Sequence, residues 1–121
     1  MDSRSTRTSQ SLPRRERVRK RREYIAVQGQ GRKLHTDSFL VFCSPRAASP
    51  TRLGITVSKK VGGAVERNRV KRLVREVFRR NKALFPQGLD IVFVAKRAAV
   101  EAGFEQVTRE IERLCRKHFT S

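Results

Sequence analysis

Five apolar residues, Val70, Leu73, Val74, Val77 and Phe78, recur at steps of three, one, three and one, a spacing that makes one apolar stripe on an α-helix. Between Lys59 and Lys82 the same stretch holds ten basic side chains and two acidic ones, Glu66 and Glu76, a net charge of +8. A strand would divide the apolar set between two faces, whereas a helix buries it on one and turns its cations outward. Gly62-Gly63 precede the apolar stripe, and Phe85-Pro86 follow and close it, because proline lacks an amide donor and disfavours a helical residue ahead of it. The pattern predicts a helix over about residues 65–83. Asn68, Arg72, Arg75 and Arg79 fall within roughly 60° of one another on it, nearly opposite the apolar stripe. A solvated face usually mixes signs to make i,i+4 pairs. This face is basic with one Asn, so repulsion along it weakens the helix unless phosphates neutralise it.

The remaining chain supplies something for that stripe to bury against. Ser38-Phe39-Leu40-Val41-Phe42-Cys43, Arg52-Leu53-Gly54-Ile55-Thr56-Val57-Ser58 and Asp90-Ile91-Val92-Phe93-Val94-Ala95 are β-branched or aromatic and bounded by turn residues, so each reads as a strand. The first and third are apolar on both alternating faces: either helices cover both, or one face binds something. Phe104, Val107, Ile111, Leu114 and Cys115 make a second apolar stripe, predicting a helix over about 101–118. A short helix is expected over about 17–28, where Tyr24, Ile25 and Val27 follow a basic run and Gly29 and Gly31 stop it. With 121 residues and 37% hydrophobic content there is material for one core. The expectation is a disordered basic tail at 1–13 and a single domain at 14–121, of α+β two-layer type, in the order α-β-β-α-β-α. No apolar run is long enough to span a bilayer and no signal-peptide pattern opens the chain, which points to the cytoplasm.

The formal charge is +18, and residues 1–22 carry a net +7 beside the +8 of residues 59–82. So concentrated an excess calls for a polyanionic partner and places the contact on those two segments. Gly62, Gly63 and Ala64 either present N–H groups to a phosphate beside Lys59 and Lys60 or simply form the turn. Cys43 and Cys115 are too few and too far apart for zinc and read as small buried hydrophobes. His35 and His118 stand apart from any metal or triad pattern. The carboxylates form no cluster of the kind that two-metal hydrolysis needs, so no catalytic residue and no protein-bound metal is expected.

The run from Ser58-Lys59-Lys60-Val61-Gly62-Gly63 through Arg67-Asn68-Arg69-Val70-Lys71-Arg72 to Glu76 resembles the signature of the bacterial ribonuclease P protein family, and the surrounding elements match in order over about residues 12–119. The resemblance implies a four-stranded sheet with three helices, a left-handed crossover through the Arg67-Asn68-Arg69 helix, and a fourth strand around residues 31–36. It implies an RNA subunit that performs Mg²⁺-dependent cleavage of the 5′ leader of precursor tRNA. The protein contacts that RNA and grips the single-stranded leader, with no protein oligomer and no membrane required. RNA-subunit contacts then fall to Lys59, Lys60, Arg67, Asn68, Arg69, Lys71, Arg72, Arg75 and Arg79. Leader contacts fall to Tyr24, with Phe42 and Leu40 preferred over the opposite strand face of Phe39, Val41 and Cys43. Many family members carry a second aromatic one helical turn after the first, where this chain has Gln28.

Overall fold

The structure is a computed structural model, and it describes residues 12–46 and 50–119. Four strands, β1 (Arg32–His35), β2 (Phe39–Pro45), β3 (Arg52–Thr56) and β4 (Leu89–Ala95), form one sheet in the order β1-β2-β4-β3. Three helices accompany them: α1 (Arg21–Gln30), α2 (Ala64–Arg80) and α3 (Phe104–His118). β2 pairs antiparallel with both β1 and β4, while β3 runs parallel to β4, to which it is joined through α2. The result is the expected α+β fold on a mixed sheet.

Strand alternation decides which helix meets which face. Phe39, Val41 and Cys43 of β2, Leu53 and Ile55 of β3, and Ile91 and Phe93 of β4 point one way. They form one core with Val70, Val74, Val77 and Phe78 of α2 and Val107, Ile111, Leu114 and Cys115 of α3. Phe39 and Phe93 meet edge to face with centroids 5.5 Å apart. The other face carries Leu40 opposite Val94 and Phe42 opposite Val92, with Gly54 and Thr56 beyond them on β3. α1 packs on β2 and β4 and buries Val27. The doubly apolar strands thus have helices on both faces. Cys43 and Cys115 are buried free thiols, and burial raises them to about 11 and about 12.

Three expectations change in detail. The fourth strand, β1, is an edge strand with only Leu34 buried, which is why its sequence carries so little strand signal. The first helix begins at Arg21 rather than near residue 17, because Arg14–Glu16 form a 3₁₀ turn and Arg17 bridges β3 at Leu53, with the Val18 N–H on the Leu53 carbonyl at 2.9 Å. It also runs through Gly29 to Gln30, where Gly31 N–H closes on the Val27 carbonyl at 2.8 Å. The expected tail at 1–13 lies outside the described residues except for Leu12 and Pro13. Leu12 belongs to the core at 2% exposure, so the domain reaches back at least that far.

Glu23 fixes the start of α1. Its Oε1 accepts the backbone N–H of Arg19 and Lys20, both at 3.1 Å, and its Oε2 meets the Arg52 guanidinium at 3.1 Å. Partial burial pushes this carboxyl up, but those two amides and Arg52 outweigh it and hold the group down at about 2, against an ordinary 4.5. A carboxyl with a depressed folded-state value contributes stability that is present above about pH 4.5 and is lost as pH falls from there toward about 2. Glu23→Gln is therefore expected to be less stable at neutral pH and to lose less stability across that acid window. Urea unfolding from pH 7 to pH 2 measures both; parallel acid curves for the two proteins would remove Glu23 from the account.

Candidate nucleic-acid interface

The helix α2 is held from one side by its apolar stripe, and its outward face is set by what remains. Asn68, Arg69 and Arg72 are exposed, as are Lys59 and Lys60 in the turn before the helix, while Arg67, Lys71, Arg75 and Arg79 are half-buried. The two acids act locally. Glu66 accepts the Gly63 N–H at 3.0 Å, and the Arg67 guanidinium donates to the Gly62 carbonyl at 2.9 Å. The Gly62-Gly63 turn is thus closed by its own helix, which takes up the Gly63 amide. A Cβ on Gly62 would stand 2.5 Å from the Glu66 carboxylate, so a side chain there would push that carboxylate off the turn it closes.

Glu76 accepts Arg79 Nη2 at 2.7 Å and Arg80 Nε at 2.5 Å, and these guanidiniums draw its carboxyl below the ordinary range. The expected purely basic face is consequently neutralised at its C-terminal end, where Arg79 is committed to Glu76. Asn68 and Arg72 keep that face free of acid toward the N-terminus. Arg75 differs again: its burial, and then Arg17 nearby, disfavour its charge. Arg17, from the stretch bridging β3, therefore extends the cationic surface across the edge of the sheet. The sequence pattern placed it at the start of the first helix, since its pairing with Leu53 is long-range.

A groove of about 450 Å³ opens on the sheet's other side, lined by Arg19, Arg21, Tyr24, Ile25, Gln28 and Thr56. The Tyr24 hydroxyl accepts the Ile55 N–H at 3.3 Å, and its ring lies on Gly54, where a Cβ would come within 2.8 Å of it. Tyr24 thus anchors α1 to β3 while walling the groove. Leu40 and Phe42 are half-buried on the same sheet face, whereas Phe39, Val41 and Cys43 belong to the core. Ile25 is 57% exposed beside Tyr24, an apolar surface open to solvent.

Several carboxylates serve the fold. Glu16 pairs with Lys82 at 2.7 Å, Asp90 with Arg52 at 2.8 Å, and Glu110 accepts Ser38 Oγ at 2.7 Å, so these carboxylates are engaged within the fold. Among the described residues, no three of His, Cys, Asp and Glu converge to hold a metal ion. His35 and His118, distant in sequence, line one cavity with Lys96, Glu110 and Lys117. His118 Nδ1 lies 3.2 Å from the Arg32 guanidinium, and burial, Arg32 and Lys117 all lower its affinity for a proton.

The family model for ribonuclease P matches residues 12–118. The chain belongs to the ribonuclease P protein family. It is 45% identical over 104 residues to the ribonuclease P protein component of Citrifermentans bemidjiense, covering 86% of this chain and 89% of that one. Against the ribonuclease P protein component of Thermotoga maritima, identity is 41% over 99 residues, with 82% and 84% covered. A solved structure of the Thermotoga maritima protein superposes with a TM-score of 0.78, at 35% identity, over 88% of this chain and all of that one. The Staphylococcus aureus ribonuclease P protein gives a TM-score of 0.77 at 28% identity, over 86% and 95%. Ribonuclease P is a tRNA-processing endoribonuclease, and this family supplies its protein component, so the chain is a subunit of that enzyme.

Within the family's ribonucleoprotein, the difference between Arg72 and Arg79 becomes measurable. Each phosphate that a side chain neutralises adds about 0.7 to 0.9 to the log–log salt slope of RNA affinity. Arg72→Ala is expected to weaken binding to ribonuclease P RNA and to make that slope shallower by such an amount. Arg79→Ala should change the slope less, because Glu76 already holds that guanidinium. Filter binding across a salt series checks this, and identical slopes for both variants would remove the distinction.

Proposed function

We propose that the chain binds the catalytic RNA of a bacterial ribonuclease P through α2 and the preceding turn, and holds the single-stranded 5′ leader of precursor tRNA in the groove between α1 and the sheet. The observation that carries this reading is the separation of two unlike surfaces on one small domain. An exposed basic stretch, from Lys59 and Lys60 to Asn68, Arg69 and Arg72, suits the phosphates of a folded RNA. A groove with one aromatic wall and arginines at its mouth suits unpaired bases, whose faces stack on such rings while the backbone meets the cations.

On this reading Arg67, Lys71, Arg75 and Arg79 support the RNA contact from the half-buried flanks of α2, and Tyr24, Leu40 and Phe42 meet the leader. Mg²⁺ would be held mainly by the RNA subunit and would supply Lewis-acid assistance to hydrolysis there. The protein's part is to screen phosphates and to raise substrate affinity. The setting is the bacterial cytoplasm; no helix among the described residues is long and apolar enough to cross a membrane.

Cleavage of precursor tRNA at low Mg²⁺ by a bacterial ribonuclease P RNA, with and without the protein, tests the assignment. RNA-dependent stimulation is the expected result. No stimulation would leave a general RNA-binding module, and cleavage by the protein alone would reveal an active site of its own. The leader assignment has a separate test: Phe42→Ala is expected to weaken holoenzyme binding of leader-bearing precursor at least about five-fold, in line with about 1 to 3 kcal/mol per stacked base. Binding of mature tRNA should hold steady, and equal losses for both RNAs would return Phe42 to a packing role.

A further inference from the structure

The flank of α2 that faces α3 carries an open pocket of about 320 Å³, lined by Arg69, Arg72, Leu73, Glu76 and Phe104. Arg69, Leu73 and Glu76 lie on that flank through the helical spacing of four and three, and Phe104, the first residue of α3, closes the other side. Leu73 and Phe104 are only partly buried, resting on the core while leaving surface to the pocket. Arg69 and Arg72 are exposed at its rim. The charge of the Glu76 carboxylate is offset here, since Arg79 and Arg80 both donate to its Oε2, at 2.7 Å and 2.5 Å, and Arg79 Nε reaches Oε1 at 3.3 Å. Arg80 also lies 5.3 Å from the centre of the Phe104 ring, so the ring already packs against one flat delocalised group.

A ligand for this pocket needs a flat apolar body and an attached negative charge. Its volume is near the lower end of the roughly 300 to 1,000 Å³ typical of small-ligand sites. A duplex offers phosphates alone, because its bases are paired inside, whereas an unpaired nucleotide offers both parts together. We propose that the pocket between α2 and α3 takes one unpaired base of the RNA subunit, stacked toward Phe104 and Leu73, with its phosphate between Arg69 and Arg72. This rests on the reading that α2 lies against that RNA. It adds a base contact, on a flank distinct from the leader groove, to a helix otherwise suited to phosphates.

The test uses the full-length protein, labelled with ¹⁵N, and two probes: an adenylate trinucleotide and the same trinucleotide with an abasic central ribose. The base-containing probe is expected to bind about tenfold more tightly and to shift the amides of Leu73, Glu76 and Phe104. Phe104→Leu, which keeps apolar volume on the core, should erase most of that preference. Equal affinity of the two probes, or a preference whose shifts map to Tyr24 and Thr56, would overturn the proposal; both readouts come from the unaltered protein and stand even if Phe104→Leu folds poorly. In the holoenzyme, Phe104→Leu should lower affinity for the RNA subunit about fivefold. Wild-type affinity in that variant, with RNA-dependent cleavage intact, would sink the base pocket while leaving the subunit assignment standing; loss of RNA-dependent cleavage in the unaltered protein would sink the assignment itself.

Discussion

Arg52 joins three elements with one guanidinium. From β3 it forks onto the Asp90 carboxylate of β4, with Nε and Nη2 at 2.8 and 2.9 Å, and its Nη1 reaches Glu23 of α1 at 3.1 Å. The bidentate pair with Asp90 lies at the register where Arg52 stands opposite Asp90 in the parallel β3–β4 ladder. That pairing fixes the strand from which α2 departs and the strand to which it returns. The third bond fixes α1, and hence Tyr24, over the face that α2 does not use. The Asp90 and Glu23 carboxylates raise the affinity of Arg52 for its proton, so the guanidinium stays charged across the working range of the fold. Both surfaces of the molecule are positioned relative to each other through this group.

The basic helix survives its own charge for a related reason. Its stripe of Val70, Val74, Val77 and Phe78 is almost wholly buried, so tertiary burial holds the helix where like-charge repulsion would loosen it. Two acids then spare specific places: Glu66 closes the first turn, and Glu76 takes up Arg79 and Arg80 in the last. Compensation is concentrated at the ends, and the middle, around Asn68, Arg69 and Arg72, stays open and cationic. A helix with evenly mixed pairs would be more stable alone and would offer less to a phosphate backbone.

Much of this was legible in the sequence because it rests on short-range periodicity. The stripes of α2 and α3 and the strands β2, β3 and β4 each declare themselves within ten or so residues, and the division of Leu40 and Phe42 from Phe39 and Val41 followed from alternation alone. What stayed hidden depends on partners far along the chain. β1 has one buried side chain and exists because β2 lies beside it; Arg17 and Val18 are drawn out of the expected helix by Leu53; Leu12 is ordered by the core. The sharing of Glu76 between two arginines, and the meeting of Phe104 with Arg80, concern side-chain directions that residue spacing narrows without fixing. The four-strand count and the site roles came through the resemblance, not from composition.

Tyr24 shows how the two demands on one residue shape the proposed leader contact. Its hydroxyl is tied to the Ile55 amide and its ring rests on Gly54, so its orientation is set before any ligand arrives. A wall ordered in advance loses little entropy on binding, which favours affinity. The same anchoring commits part of the ring to β3, leaving less of it for a base. One turn further along α1 the chain has Gln28, which lines the groove without offering an aromatic face. On the proposed reading a second stacking surface comes from the sheet, where Phe42 is half-buried on the side α1 covers, although it is not among the residues lining that groove. In this chain the proposed grip on unpaired RNA therefore shifts from the helix toward the strand. Gly54 becomes a condition of it, because any side chain there would lift Tyr24 and open the groove.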